Sequence, residues 1–195
     1  MIYIDHNLGA YSEKDLQDML PELSEERIEK ISRLACFEDR LRSAVAFLLL
    51  KRGLQIEYGN RFNKIPRWDY GSFGKPYLAD YPEIHFNLSH CEKVVVCAIS
   101  STPIGIDVET IKIFDEDLAR YITSDQEFDD IMKAPDPALA FTILWTKKES
   151  FCKLTGKGLD SRESIIGIID SCKARFQTQV NIHSGYVMST CQMDY

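Results

Sequence analysis

A two-lobed α+β fold is what three features of this 195-residue sequence predict. Strand-type and helix-type segments occur in each half of the chain, without a residue-level repeat that would mark a duplication. Three short β-type runs cluster before residue 110, and a set of helices follows them. A composition of 45% hydrophobic and 27% charged residues is that of an ordinary globular protein with enough apolar side chains for a real core.

Residues 1–5 alternate enough to form a first strand. After Pro21, Ser24 followed by Glu25 and Glu26 marks a helix start, with the serine as N-cap and acids in the first turn. Arg27, Lys30 and Arg33 then recur at helical spacing. A second helix is expected over residues 39–52, stopped by Gly53. Residues 59–81, rich in Gly, Pro and aromatics, are expected to be loop with one short strand. Residues 84–89, 94–100 and 104–109 are β-type runs separated by turn residues and are expected to be neighbours in one small sheet. Helices are expected over 114–121, 124–133 and 137–154, the last ended by Gly156 and Gly158. Residues 164–170, 174–182 and 186–191 then close the chain as strands.

The formal charge of -7 argues against a general nucleic-acid binder, which needs a net basic face for the phosphate backbone. It leaves room for a local basic patch that takes a small phosphate ligand. The six cysteines form no C-x-x-C pair and no zinc spacing, and the opening residues lack a charged-then-apolar signal segment. A reduced, cytoplasmic protein is therefore expected. The longest apolar run, residues 44–50, is too short to cross a bilayer, so no membrane partner is expected.

Three constellations carry chemistry. In IGIDVE, residues 104–109, strand alternation puts Ile104, Ile106 and Val108 on one face and Asp107 with Glu109 on the other. Taken alone, such a hexapeptide reads first as a half-buried strand with a solvated face; the sharper reading is a site for a hard cation such as Mg²⁺, which prefers oxygen ligands. In WTKKESFCK, residues 145–153, Trp145, Glu149 and Lys153 lie at i, i+4 and i+8 on one helical stripe. The plain alternative is a surface Glu–Lys pair worth a few tenths of a kcal/mol, roughly; the aromatic at the start of the stripe suggests that this face is covered. The third is GKPYLAD with IHFNLSH, residues 74–80 and 84–90, which brings Lys75, Ser89 and His90 to strand or loop ends as suitable phosphate donors.

In this order, GKP with FNLSH, then IGIDVE, then WTKKESFCK running into GKGL, the blocks resemble the motif set of the surfactin-activating type of 4′-phosphopantetheinyl transferase. The likeness extends to SEERIEK (residues 24–30), FEDRLRS (37–43) and GYVMSTC (185–191), and so covers nearly the whole chain. The resemblance implies two pseudo-symmetric lobes, residues 1–101 and 102–195, with coenzyme A and Mg²⁺ held in the cleft between them. It implies Asp107, Glu109 and Glu149 as metal ligands, and Lys153 as the contact to the coenzyme A pyrophosphate. Lys75, Pro76, Ser89 and His90 would hold the nucleotide end, with Arg27, Lys30 and Ser43 around the 3′-phosphate and Arg42 as a further member of that group.

The implied reaction moves phosphopantetheine onto a serine of an apo acyl or peptidyl carrier protein and releases 3′,5′-ADP. It must neutralise the pyrophosphate, align the serine hydroxyl and stabilise the leaving nucleotide. Glu149 is the natural base, directly or through a water, beside Lys153. Thr146 stands where the family commonly has Ser or Cys, and Cys91-Glu92 replaces a Ser-Gly-like pair; neither removes a charged group. A non-catalytic module that binds coenzyme A or a carrier would not need Asp107, Glu109, Glu149 and Lys153 together. A Mg²⁺-dependent phosphohydrolase would leave the rest of the motif set without a use. With two lobes in one chain, a monomer is expected.

Overall fold

A computed structural model describes residues 1–63, 67–157, 166, 168–171 and 173–194. In chain order the elements are β1 (Ile2–Asp5), α1 (Glu13–Met19), α2 (Glu25–Ser32), α3 (Phe37–Tyr58), β2 (Trp68–Tyr70), β3 (Pro76–Leu78), β4 (His85–His90), β5 (Val95–Ser100) and β6 (Gly105–Thr110). Then follow α4 (Glu116–Ile122), α5 (Asp125–Lys133), α6 (Pro137–Thr155), α7 (Ile168–Ser171), β7 (Ala174–Asn181) and β8 (Tyr186–Met193). The mixture of helix and sheet is the expected α+β class.

The strands form two three-stranded antiparallel sheets, β1-β5-β4 and β6-β8-β7, and a small hairpin β2-β3. β5 is buried on both faces and is accordingly a continuous apolar run. Cys97 and Ile99 pack toward α3 with Leu50 and Leu54, whereas Val96 and Ala98 meet Ile106, Val108, Tyr186 and Met188 of the second sheet. One strand therefore joins two layers of core. α6 packs against β6 and β8, and Thr146, fully buried, fixes that contact by sharing a hydrogen bond of 2.8 Å with Ser189.

Several boundaries depart from the sequence expectation. Gly53 does not stop α3, which continues to Tyr58 and ends at Gly59 with φ +74°. A Cβ at Gly53 would lie 2.7 Å from both Tyr3 and Ile99, so this glycine serves close packing of the helix on β1 and β5. The segment 59–81 contains a two-stranded hairpin, β2 with β3, rather than one short strand. β6 leaves the sheet of β4 and β5 and pairs with β8. The reason lies at Gly105, where a Cβ would fall 1.9 Å from the Ser150 carbonyl oxygen: β6 is pressed against α6 and belongs to the sheet that α6 backs. Residues 168–170, expected as strand, are helical and residue 166 is in a turn; 164, 165 and 167 of that expectation, with Gly158, lie outside the described residues.

The helix caps follow the sequence closely. Ser24 accepts from the Arg27 amide, and Ser124 with Glu127 forms a capping box that starts α5. Gly156, φ +74°, ends α6. Cys36, Cys91, Cys97 and Cys152 are free thiols, the last three buried. Among the described residues no helix is long and apolar enough to cross a membrane.

Candidate active site

A cleft of about 500 Å³ opens where α2, α3, β2, β4, β6 and α6 converge. Its walls include Arg27 and Lys30 from α2, Ser43 from α3, Pro76 from β3, Ser89 and His90 from β4, Asp107 and Glu109 from β6, and Glu149 and Lys153 from α6. Distant parts of the sequence thus meet at one cavity, within the size range of small-molecule sites. Of the residues singled out from sequence, Lys75 and Arg42 do not line it. Lys75 is half-buried in an adjoining groove and donates to the Leu154 carbonyl at 2.8 Å, capping the last turn of α6; burial pushes its ammonium down. Arg42 is paired with Asp39 at 2.5 Å and acts on the cleft only through its charge near His90.

Asp107 is 3% exposed, so its carboxylate requires partners. Oδ1 accepts from Lys153 Nζ at 2.7 Å and from Ser89 Oγ at 2.9 Å, while Oδ2 is buried with no hydrogen-bond partner among the described residues. The helical stripe of α6 therefore does not hold an isolated Glu149–Lys153 pair. Lys153 reaches across to β6 and β4 instead. Glu109 and Glu149 are half-buried; burial first, and the Asp107 charge second, push both carboxyls upward, with Lys153 countering in each case and a hydrogen bond from Trp145 countering at Glu109.

The buried Asp107 Oδ2 without a partner and two further carboxylates under mutual repulsion constitute a donor set suited to a hard divalent cation. Among the described residues no three carboxylate, imidazole or thiol side chains are already gathered as a finished metal centre. The fit is that of three carboxylates sharing a cavity, one of them with a buried oxygen that has no hydrogen-bond partner among the described residues.

Aromatic residues that sequence reasoning passed over build the opposite wall. The Arg27 guanidinium lies 4.4 Å from the Trp68 ring centroid, and Lys30 Nζ lies 4.0 Å from that of Tyr70 while also bonding the Tyr70 hydroxyl. These contacts hold two cations at the cleft by cation–π attraction. Burial lowers the Arg27 guanidinium from its ordinary value, and the bond to Tyr70 raises the Lys30 ammonium. Phe47 and Leu88 complete the apolar lining. The Trp and Tyr lie in the Gly- and Pro-rich stretch expected to be mostly loop; their i, i+2 spacing, which sets Trp68 and Tyr70 on one face of β2, was the available signal.

Comparison with known proteins gives first the class. The profile of the 4′-phosphopantetheinyl transferase superfamily matches residues 103–191, the part of the chain that runs from β6 to β8. A 4′-phosphopantetheinyl transferase of Bacillus subtilis is 37% identical over 160 residues, covering 81% of this chain and 70% of the relative. The 4′-phosphopantetheinyl transferase Sfp of Bacillus subtilis strain 168 is 32% identical over 205 residues, covering 97% of this chain and 89% of its own. An L-aminoadipate-semialdehyde dehydrogenase-phosphopantetheinyl transferase of Saccharomyces cerevisiae is 34% identical over 67% of this chain and 52% of the relative.

This chain belongs to the 4′-phosphopantetheinyl transferase superfamily, in its surfactin-activating branch, and is an enzyme of that class.

Proposed function

We propose that this protein transfers the 4′-phosphopantetheine group of coenzyme A to a serine of an apo acyl or peptidyl carrier protein, with Mg²⁺, and releases 3′,5′-ADP. The observation that carries the proposal is the charge inventory of the cleft. Arg27, Lys30 and Lys153 face Asp107, Glu109 and Glu149, three cations against three carboxylates, with the cations of α2 separate from the carboxylates of β6 and α6. Coenzyme A carries a 3′-phosphate and a pyrophosphate. The first suits Arg27 and Lys30, with Ser43 and His90 beside them. The second has to share space with three carboxylates, which favours a divalent cation between them.

In this reading Asp107, Glu109 and Glu149 would hold the cation, which would supply positive charge against the pyrophosphate. Lys153 adds a fixed ammonium on the same side. The carrier serine oxygen bonds to the phosphorus that bears the pantetheine arm, the bond from that phosphorus to the bridging oxygen breaks, and 3′,5′-ADP leaves. Glu149 takes the serine proton. Pro76 and Leu88 shape the apolar wall against the nucleotide, and Lys75 braces α6 from the adjoining groove. A division into two pseudo-symmetric lobes, residues 1–101 and 102–195, draws support from the two sheets, each backed by its own long helix.

The test is Asp107→Asn, which keeps shape and one acceptor while removing charge. Carrier modification is expected to fall by at least about 100-fold, the scale of losing a key electrostatic group, with the melting temperature near that of the wild type. Wild-type turnover in this variant would remove Asp107 from the metal site.

A further inference from the structure

The hairpin of β2 and β3 brings to the cleft a tyrosine that the proposed function does not use. Trp68 and Tyr70 stand at i, i+2 on one face of β2, and both line the cleft. Trp68 anchors the hairpin: its ring centroid lies 5.2 Å from that of Phe47 and 5.1 Å from that of Phe86, both buried. Tyr70, two residues further out, is 38% exposed and meets the Lys30 side chain instead.

Lys30 has two places to go. Its ammonium lies 4.0 Å from the Tyr70 ring centroid and donates to the Tyr70 hydroxyl, and it also reaches the Glu26 carboxylate at 3.1 Å, one turn back on α2. Glu26 lines a second cavity, of about 280 Å³, and not the cleft, whereas Lys30 lines the cleft and not that cavity. Arg27, Phe47, Trp68 and Tyr70 line both and form the partition between them. The Lys30–Glu26 pair is exposed at both ends, 44% and 58%, and an exposed pair of this kind holds its charges weakly. The ring and hydroxyl of Tyr70 are therefore what keeps the ammonium on the cleft side. They also narrow the rotamers of a flexible side chain before any ligand arrives, which lowers the ordering cost of binding.

Arg27 precedes Lys30 by one turn of α2 and is stacked on Trp68 at 4.4 Å. Two like charges held on adjacent aromatic rings favour a ligand group that answers both. A phosphate monoester, with about two negative charges at neutral pH, is such a group, and a hydroxyl in its place is not.

We propose that Tyr70 is a positioning residue for Lys30 and thereby sets the preference of the cleft for a nucleotide bearing a phosphate monoester over the same nucleotide without it. This rests on the reading that puts the 3′-phosphate of coenzyme A against Arg27 and Lys30.

The experiment is a double-mutant cycle on binding, run without carrier protein and hence without turnover. Wild type, Tyr70→Leu, Lys30→Ala and the double variant are each titrated calorimetrically with coenzyme A and with 3′-dephospho-coenzyme A. Wild type is expected to bind coenzyme A more tightly. Tyr70→Leu is expected to weaken coenzyme A by about 3- to 10-fold, the scale of one cation–π contact, and to leave the dephospho form within about two-fold. In the Lys30→Ala background the same substitution is expected to change neither ligand beyond about two-fold. An equal loss for both ligands in Tyr70→Leu overturns the inference, because the tyrosine then serves another part of the ligand or the fold. A loss for coenzyme A that persists without Lys30 also overturns it, by making Tyr70 a direct contact to the phosphate. In both cases the reading of the cleft survives in the wild-type preference. Wild type that binds the two ligands equally overturns the inference together with the placement of the 3′-phosphate.

Discussion

At the scale of single residues, the site combines groups that burial and neighbours have set. His90 is pushed down by desolvation first, then by the charges of Arg42 and Lys153, with Asp39 opposing. Its ring is therefore neutral near neutral pH in the ligand-free protein. A folded-state value below the ordinary one of about 6.5 means that its stability contribution is intact above about pH 6.5 and is lost as pH falls through the lower folded value. Melting curves of ligand-free protein from pH 7.5 to 5 are expected to show a decline that His90→Asn reduces; an unchanged decline would place the acid-sensitive group elsewhere. The charged residues that line the cleft were legible in the sequence because each motif has a fixed spacing on one strand or helix: Asp107 and Glu109 at i, i+2, Glu149 and Lys153 at i, i+4. Contacts across elements were not. Nothing in the spacing says that Lys153 bonds Asp107 rather than Glu149, or that Lys75 turns to the Leu154 carbonyl, because both depend on how the last turns of α6 meet β6 and β3. Trp68 and Tyr70 were missed for a related reason: an aromatic that stacks on a cation at a cleft has the same sequence signature as one that fills a core.

At the scale of elements, the approach of β6 to α6 brings Asp107 of β6 and the Lys153 ammonium of α6 to hydrogen-bonding distance. Gly105 makes it possible. A methyl group there would meet the Ser150 carbonyl at 1.9 Å and the Leu154 amide at 2.6 Å, both backbone atoms that cannot rotate away. Gly105→Ala is expected to cost about 1–3 kcal/mol in urea unfolding, the range for overpacking, and to lower turnover further than the stability loss explains because Asp107 shifts relative to Lys153. An unaltered midpoint and rate would show that the interface relaxes freely. On its outer side α6 is anchored by Lys148, fully buried, which donates to the Ile122 carbonyl at 2.9 Å and to Glu127 at 2.7 Å. One helix start was readable from its cap, at Ser24. Helix ends were less so, since a glycine such as Gly53 can serve close packing as well as termination.

At the scale of the molecule, the two sheets share a core through β5 and β6, and the cleft lies where β4, β6 and α6 meet. The α+β class was legible because strand-type and helix-type segments were strong in both halves. Strand partners were not. Short connections favour neighbours, which is why β6 was expected beside β5, but its register with β8 pairs Asp107 with Ser189, across a separation that local pattern does not encode. The family relationship then supplies the class of chemistry, and the cleft holds the groups proposed to perform it. The central claim is that this chain modifies a carrier protein from coenzyme A with a divalent cation. Intact-protein mass spectrometry of an apo carrier protein, incubated with the enzyme, coenzyme A and Mg²⁺ beside a control in EDTA, tests it most directly. A gain of one phosphopantetheine that disappears in EDTA is the predicted result; no gain across acyl and peptidyl carriers, in protein that still binds coenzyme A, would contradict it and leave a binding module.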